Sequence, residues 1–250
     1  MKSIVLAKIS KSYMAVLGDG KAGIFIENSL NEKKWGTGAK GAIKEGYFDY
    51  ILTNPPFGKD VKLDNETKEM YDYDAVDLAF LERSLDLLKD GGILGIILPE
   101  TIFHSPNNKK VRSDFFYKHN IKCLIDIPHD TFRPYNNAKC NVIFIEKNKE
   151  QESEVLAINI KNIGHNHLGE TDYVYDINTN TFDLSKINDD TKLITKAIKN
   201  KRIMKIIKNN YKVLDDNQLK TLDEFEEIER MIKYIKFSDI KKEDVLVARN

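Results

Sequence analysis

The stretch that decides the fold is Phe48-Asp49-Tyr50-Ile51-Leu52-Thr53-Asn54-Pro55-Pro56-Phe57. Its first six residues are rich in aromatic and β-branched side chains, which predicts a buried β-strand. The two prolines cannot donate hydrogen bonds to a neighbouring strand, so the strand must end at Asn54. A polar residue is thereby predicted at the carboxyl end of a strand, which is where ligands bind in doubly wound α/β sheets.

The segments after this stretch alternate between helical and strand patterns. An amphipathic helix is predicted over Asp77–Lys89, closed by Asp90-Gly91-Gly92, and the apolar run Ile93–Leu98 predicts the next strand. Further patterns predict a helix at 109–118 and strands at Ile121–Ile127 and Cys140–Glu146. We therefore predict an α/β fold with a doubly wound, largely parallel, Rossmann-like sheet whose final pair can form an antiparallel hairpin.

The two ends of the chain give further predictions. A helix is predicted over Ile4–Leu17, and Gly18-Asp19-Gly20 is expected to end it rather than to bind a ligand. After Lys147 the composition becomes polar, with a predicted edge strand at Val155–Ile160. Helices are predicted at 185–210 and Leu222–Ile235, and the last residues, 237–250, have a strand-like pattern.

Composition excludes several classes of protein. Hydrophobic residues make up 41% of the 250 and charged residues 31%, which predicts a folded core rather than a disordered chain. No apolar run reaches the length of a membrane span, so we expect a cytoplasmic protein with no membrane partner. Lys and Arg together number 39, as do Asp and Glu together, so the chain lacks the basic excess of a free-standing DNA binder. The two cysteines lack metal-ligand spacing, and the histidines, of which only His165 and His167 are closely spaced, are interpreted as surface residues, so no metal is predicted.

The Asn-Pro-Pro-Phe sequence suits chemistry on an amino group attached to an aromatic ring. The exocyclic nitrogen of adenine is a poor nucleophile because its lone pair is delocalised into the ring. The side-chain oxygen of Asn54 and the backbone oxygen of Pro55 can each accept one N–H and localise that lone pair. Pro56 stiffens the turn, and Phe57 offers a ring on which an extruded base can stack. We predict Asn54, Pro55, Pro56 and Phe57 as catalytic residues.

The same stretches carry a family resemblance. FDYILTNPPFG, DLAFLERSLDLLKDGG, ILGIILPE and IKCLIDIPHDTFRPYNNAKCNVIFIEK together resemble adenine-specific DNA methyltransferases, particularly the modification subunits of type I restriction-modification systems. The resemblance covers about residues 5–147. It implies transfer of a methyl group from S-adenosylmethionine to adenine N6 in double-stranded DNA, without a metal. It also implies specificity and endonuclease subunits as possible partners.

The resemblance also implies cofactor-binding residues. The segment IFIENSL corresponds to a strand whose acidic residue lies near the cofactor in the family, and this chain has Asn28 at that position. We therefore predict Asn28, Leu30 and Asn54 as cofactor-binding, with an ordinary strand end as the alternative for Asn28 and Leu30. The family's glycine-rich cofactor loop is not found before the first helix, so we expect a sheet that is incomplete at the amino terminus.

These expectations define domains and functions. We predict a partial methyltransferase catalytic domain over residues 1–148, a partly helical connector over 149–236, and the possible start of a target recognition domain over 237–250. The leading function is adenine-N6 methylation of DNA in a restriction-modification system. The alternatives are methylation of glutamine N5 in a protein or of RNA adenine, or an incomplete fragment that only binds DNA or a partner.

Two other groups of residues have open interpretations. Lys33, Lys34, Lys40 and Lys44 surround Trp35, and this group of basic and aromatic residues either contacts phosphates or flanks a base, or belongs to a solvated loop. Asp126, His129 and Arg133 follow a predicted strand and either line a pocket for the target base or are ordinary loop residues.

Overall fold

The computed structural model describes residues 4–18, 23–56, 61–104, 108–116, 118–209 and 225–240. The chain divides into two compact units, Met1–Leu94 and Gly95–Asn250, and the division falls within one long strand. Among the described helices, none is both long enough and apolar enough to cross a membrane. The predicted domain boundaries at 148 and 236 stay a prediction.

In the described part of the first unit there are four α-helices, one strand and the start of a second strand. Its elements are α1 (Ile4–Val16), a 3₁₀ turn (Glu32–Lys34), α2 (Thr37–Ala42), β1 (Phe48–Thr53), α3 (Asn65–Lys68), α4 (Val76–Leu87) and the first residues of β2 (Leu88–Pro99). The predicted first helix is confirmed, and Gly18 follows it with a φ of 83°, a left-handed conformation that favours glycine.

Strand β1 differs from the prediction in its burial. It is the first strand in the sheet order and neighbours β2. The side chains of Tyr50 and Leu52 are 72% and 78% exposed, so the expectation of a buried strand is wrong. Its apolar residues occupy both faces, as in buried strands, but burial depends on what covers each face, and the residue pattern does not contain that information.

The turn between α4 and β2 is tighter than predicted. Helix α4 ends at Leu87, and the predicted cap Asp90-Gly91-Gly92 already belongs to β2. A Cβ atom on Gly92 would lie 2.9 Å from the carbonyl oxygen of Lys89 and 3.1 Å from that of Asp49 in β1. Gly92 therefore allows the backbone to approach β1 closely, and Gly91 has a φ of 76°, a conformation that favours glycine.

The second unit is a sheet with helices packed on it. Its elements are the rest of β2, α5 (Thr101–His104), α6 (Lys109–Val111) with a π-helical turn (Arg112–Phe116), β3 (Asn120–Asp126), a 3₁₀ turn (His129–Phe132), β4 (Cys140–Glu146), β5 (Glu154–Asn159), β6 (Tyr173–Asp176), β7 (Thr181–Ile187), α7 (Asp190–Lys199), α8 (Lys201–Lys208), α9 (Phe225–Met231), β8 (Ile232–Lys236) and α10 (Phe237–Ile240). Strands β6 and β7 form a separate antiparallel hairpin.

The strand order in this unit is β2-β4-β3-β5-β8. Strands β3 and β4 form the predicted antiparallel pair, whereas β3 pairs parallel with β5. Strand β5 was predicted at an edge, but it lies between β3 and β8. Of the predicted helix Leu222–Ile235, residues 225–231 are helical and 222–224 lie outside the described residues, whereas residues 232–236 form β8 and pair antiparallel with β5.

A tertiary contact explains why β8 replaces the predicted helix. Ile228, Met231 and Ile232 are buried at helical spacing, so the local pattern fits a continuing helix. Ile232 and Ile235 instead pair with Ile158 and Val155 of β5, which satisfies the backbone of both strands. Residues 237–240 form α10 rather than the predicted strand, and 241–250 lie outside the described residues.

Candidate active site

The Asn-Pro-Pro turn follows β1 directly, as the sequence predicts. Asn54 is exposed, so its amide is accessible to a substrate, whereas Pro55 is buried and anchors the turn. Pro56 is exposed. Phe57 lies outside the described residues, and its predicted stacking role stays a prediction.

Beside this turn lies a cavity of about 330 Å³, within the size range of small-molecule sites. Pro56, Asn28 and Leu30 all line it, so the structure brings together three of the predicted site residues. Among the described residues, Asn54 does not line this cavity. Its apolar wall also includes Val61, Leu63, Val76 and Phe80, and its polar rim contains Glu27, Ser29, Lys62, Asp64 and Thr67. An apolar wall with a polar rim suits a ligand with a flat ring and polar substituents.

The segment that carries Asn28 and Leu30 is a loop, so the predicted strand at IFIENSL is wrong. The Asn28 side-chain oxygen accepts a hydrogen bond from the Leu30 backbone N–H at 3.3 Å. This contact closes an Asx-type turn, which competes with strand pairing. Leu30 is 3% exposed and also belongs to a core cluster with Leu63, Val76 and Ala79.

Two aromatic side chains hold the same loop by its backbone. The Trp35 indole N–H donates to the carbonyl oxygen of Asn28 at 2.6 Å, and the Tyr71 hydroxyl donates to that of Leu30 at 2.7 Å. Burial raises the pKa of Tyr71 to about 12, which keeps its hydroxyl protonated as a donor. The loop that lines the cavity is therefore fixed by one contact from nearby in the sequence, that of Trp35, and one from a distant residue, Tyr71.

Trp35 is only 6% exposed, so it cannot stack on a base in the way considered from the sequence. The guanidinium of Arg83 in α4 lies 5.4 Å from the Trp35 ring centre, a cation–π distance. Arg83 also forms ion pairs with Glu32 and with Glu45, the latter at 3.3 Å. This arrangement binds the loop and the following 3₁₀ turn to α4.

The opposite wall is set by the short helix α3. Asp64 caps it, because its carboxylate accepts from the Thr67 backbone N–H at 2.9 Å and from the Thr67 hydroxyl at 2.8 Å. The fully buried Asn31 donates from its side-chain nitrogen to the same hydroxyl at 3.4 Å. Nearby, Lys34 forms an ion pair with Glu66, which raises the pKa of Lys34 and lowers that of Glu66.

Sequence reasoning missed most of the cavity. Asp64 carried a capping signal, since aspartate is a favoured N-cap residue whose side chain accepts a hydrogen bond from a backbone N–H in the first turn of the helix. No pattern in the sequence places this helix against Asn28, because the two segments are joined only by tertiary contacts. The single tryptophan, in an otherwise polar segment, was the one sequence feature that could have indicated that this loop is held in place by a buried side chain.

The second predicted polar group lies in the second unit, at the end of β3. Asp126 forms an ion pair with Lys139 at 2.5 Å. The Oδ1 atom of Asp130 lies 3.6 Å from Nδ1 of His129 and 3.8 Å from Nε of Arg133. The predicted role of Asp126, His129 and Arg133 at a base pocket stays a prediction.

An α/β fold with Asn-Pro-Pro at the carboxyl end of a strand, beside a cavity with an apolar wall, is typical of S-adenosylmethionine-dependent methyltransferases that act on amino groups. The family described as N-6 DNA Methylase matches residues 6–227, most of the chain. The chain belongs to this family.

Individual relatives agree with this assignment. The chain is 32% identical over 103 residues to the type I restriction enzyme EcoEI methylase subunit of Escherichia coli, covering 40% of this chain and 21% of the relative. A solved chain from a study of the assembly of a type I R-M system matches all of this chain and 45% of its own length, at 20% identity and a TM-score of 0.62.

A modification subunit of a putative type I restriction enzyme from Vibrio vulnificus YJ016 matches 95% of this chain and 43% of its own length, at 14% identity and a TM-score of 0.58. At these identities the solved structures support the fold, which agrees with the predicted α/β class. The chain spans about a fifth of the EcoEI subunit and less than half of either solved chain.

Proposed function

We propose that this chain is part of a DNA adenine-N6 methyltransferase of a restriction-modification system, with S-adenosylmethionine as the methyl donor. The observation that carries the proposal is the Asn54-Pro55-Pro56 turn at the end of β1, whose Pro56 lines a cavity together with Asn28 and Leu30. Family membership and the likeness to the EcoEI methylase subunit support it.

The cavity residues fit the proposed cofactor. Leu30, Val61 and Phe80 provide an apolar wall for a purine ring. Glu27 and Asp64 provide carboxylates, which attract the cationic methionine part and accept hydrogen bonds from ribose hydroxyls. We retain Asn28 and Leu30 as proposed cofactor-binding residues, whereas Asn54, which is not among the described residues that line the cavity, keeps only its proposed role toward the amino group.

Asn54 and Pro55 are proposed to prepare the amino group for reaction. The Asn54 side-chain oxygen and the Pro55 carbonyl oxygen accept the two N–H groups of adenine N6, which localises the nitrogen lone pair. The bound cofactor supplies a methyl group on a positively charged sulfur. With the cofactor bound, N6 would form a bond to the methyl carbon as the sulfur–carbon bond breaks, and the nitrogen would then release a proton to solvent.

The proposed DNA substrate adds two requirements. The target adenine has to leave the base stack, because the turn cannot reach N6 within a duplex. Phe57 is the proposed stacking surface for the extruded base. Specificity and endonuclease subunits are the proposed protein partners, by analogy with the type I systems to which the matched relatives belong.

The test is calorimetric titration of the purified chain with S-adenosylmethionine. We expect saturable binding to the wild-type chain, weakened by Phe80→Ala and retained by the control Ala42→Ser, which alters a residue outside the cavity. An affinity for S-adenosylmethionine that is the same in Phe80→Ala as in wild type would contradict the assignment of this cavity as the cofactor site. Methyl transfer to duplex DNA, RNA and a glutamine-containing peptide, measured side by side, separates the three candidate substrates.

A further inference from the structure

Helices α7 and α8 carry a concentration of positive charge within a chain that is neutral overall. Residues 191–209 contain six lysines and one arginine but no aspartate or glutamate, whereas the whole chain has 39 basic and 39 acidic residues. Asp189 and Asp190, the N-cap and first residue of α7, precede this segment, so seven basic and two acidic residues over 189–209 leave a local excess of five positive charges. Polyanions respond to such local fields rather than to the net charge of the chain.

The lysines form a row on each helix. On α7 they are Lys192, Lys196 and Lys199, and on α8 they are Lys201, Lys205 and Lys208, so both rows have the spacing i, i+4, i+7. This spacing keeps the members of a row within about 60° around the helix and spans about 10.5 Å along it. All six side chains belong to exposed residues.

The opposite face of each helix is held by the core. Ile194 and Ala197 of α7 and Ile203 and Ile207 of α8 are buried in one cluster that also contains Ile158 of β5. Because both helices pack into the same cluster, the two lysine rows are fixed relative to each other. The excess charge thus lies on a rigid, outward-facing surface.

The joint between the helices adds to this rigidity. Only Asn200 separates them, and its side-chain oxygen accepts hydrogen bonds from the backbone N–H groups of Arg202 at 3.0 Å and Ile203 at 3.3 Å. This N-cap fixes the start of α8 directly after the end of α7. The two rows are therefore consecutive parts of one surface.

A face that serves only for solubility has a different composition. Solvated helices mix acidic and basic residues, since Glu and Lys four positions apart stabilise a helix and like charges at that spacing destabilise it. Here like charges recur at i, i+3 and i+4 on both helices. Asp189, Asp190 and Glu227 share a groove with Lys192 and Lys196, and three carboxylates do not balance the seven cations of the two helices.

We propose that this lysine face of α7 and α8 binds the phosphate backbone of duplex DNA, independently of base sequence. The inference rests on the proposed function for its choice of DNA as the polyanion. Lysine contacts to phosphates position a protein on a duplex without reading its sequence. The face would then supply the electrostatic contacts that the neutral composition of the chain seemed to exclude.

The test compares two variants with the same change in net charge. The face variant carries Lys192→Gln, Lys199→Gln, Lys201→Gln and Lys205→Gln. The control variant carries Lys→Gln substitutions at four exposed lysines elsewhere, namely Lys8, Lys109, Lys118 and Lys149. Lys196 and Lys208 are left unchanged because they have other contacts, including that of Lys208 with the Tyr234 ring.

The affinity of each protein for a duplex of arbitrary sequence is measured across salt concentrations without cofactor. We expect the face variant to bind at least about tenfold more weakly near 0.1 M salt, with a salt slope lower by about three to four. The control variant should stay within about twofold of wild type. Equal losses in both variants, no loss in either, or no DNA binding by the wild-type chain would overturn the proposal.

Two further measurements separate the possible failures. The affinity for S-adenosylmethionine, measured by calorimetric titration, should be the same in the face variant as in wild type. If the wild-type chain binds DNA through this face but transfers no methyl group, the result contradicts the proposed function and leaves the DNA-binding face in place. Unchanged DNA affinity together with lost binding to poly-L-glutamate would instead assign the face to an acidic protein and reject DNA as its partner. Circular dichroism checks that both variants retain the wild-type fold.

Discussion

Replacing Trp35 with phenylalanine tests whether the loop beside the cavity is held by its indole. The side chain is 6% exposed, and its N–H donates to the Asn28 carbonyl oxygen at 2.6 Å. Losing that donor costs about 1–1.5 kcal/mol, because Asn28 is only half-buried and water can partly replace it. The smaller ring leaves unfilled volume and a weaker cation–π contact with Arg83, which costs about another 1–1.5 kcal/mol.

The expected loss is therefore about 2–3 kcal/mol in the free energy of unfolding. It should be measured by urea denaturation followed by circular dichroism, because the substitution removes the only tryptophan and its fluorescence. The matched variant Tyr71→Phe removes one donor to the same loop with little change in volume, and should cost about 1 kcal/mol. A change in Trp35→Phe below about 0.5 kcal/mol, as for an ordinary surface substitution, would refute the reasoning.

Three other predictions follow from the same contacts. Arg83→Met should lower the free energy of unfolding by about 2 kcal/mol in low-salt urea titrations, because it removes the guanidinium that pairs with Glu32 and Glu45. An unchanged free energy of unfolding would show that these ion pairs do not stabilise the fold. The raised pKa of Tyr71 means that the folded chain holds this proton more tightly than the unfolded chain. The contribution of the protonated hydroxyl to the free energy of unfolding is therefore complete below pH 10 and is lost as the pH rises toward 12. Between pH 9 and 11, Tyr71→Phe should lose less of its free energy of unfolding than wild type. Asp190→Asn should cost about 1–3 kcal/mol in thermal or urea unfolding, because the buried carboxylate accepts three N–H groups, and an unchanged stability would show that these bonds contribute nothing net.

Local patterns predicted the elements whose apolar residues repeat at the period of a helix or of a strand. The bounds of β4 at Cys140–Glu146 agree with the prediction, and β1 ends where Pro55 forbids further pairing. Helix α4 was found to within two residues because its apolar face repeats regularly. In these segments the side-chain period alone distinguishes helix from strand.

The elements that sequence reasoning missed depend on distant partners. Residues 232–236 form a strand because β5, more than 70 residues earlier, offers an edge for pairing. The loop at Asn28 takes its shape from Trp35 and Tyr71. The pairing with β5 and the contact from Tyr71 lie outside any local window, so propensity favoured a helix in the first case and a strand in the second.

The candidate site was predicted in part for the same reason. Asn54, Pro55 and Pro56 are adjacent in sequence, and their position at the end of a strand required no tertiary information. The cavity is assembled from four separate segments between Glu27 and Phe80, which only folding brings together. The lysine face was hidden because composition averages charge over the whole chain, whereas helical spacing sorts it onto one side.

The most direct test of the proposed function is methyl transfer by wild type and Asn54→Ala to unmethylated DNA of mixed sequence, with the product nucleosides identified by mass spectrometry. We expect N6-methyladenine from wild type and a rate lower by about 10²–10³-fold from Asn54→Ala, because one of two preorganised acceptors is lost. Cofactor affinity measured in parallel should change by less than about threefold, since Asn54 does not line the described cavity. Equal rates in the two proteins, or methylation of a different base, would contradict the assignment of Asn54 to adenine-N6 chemistry.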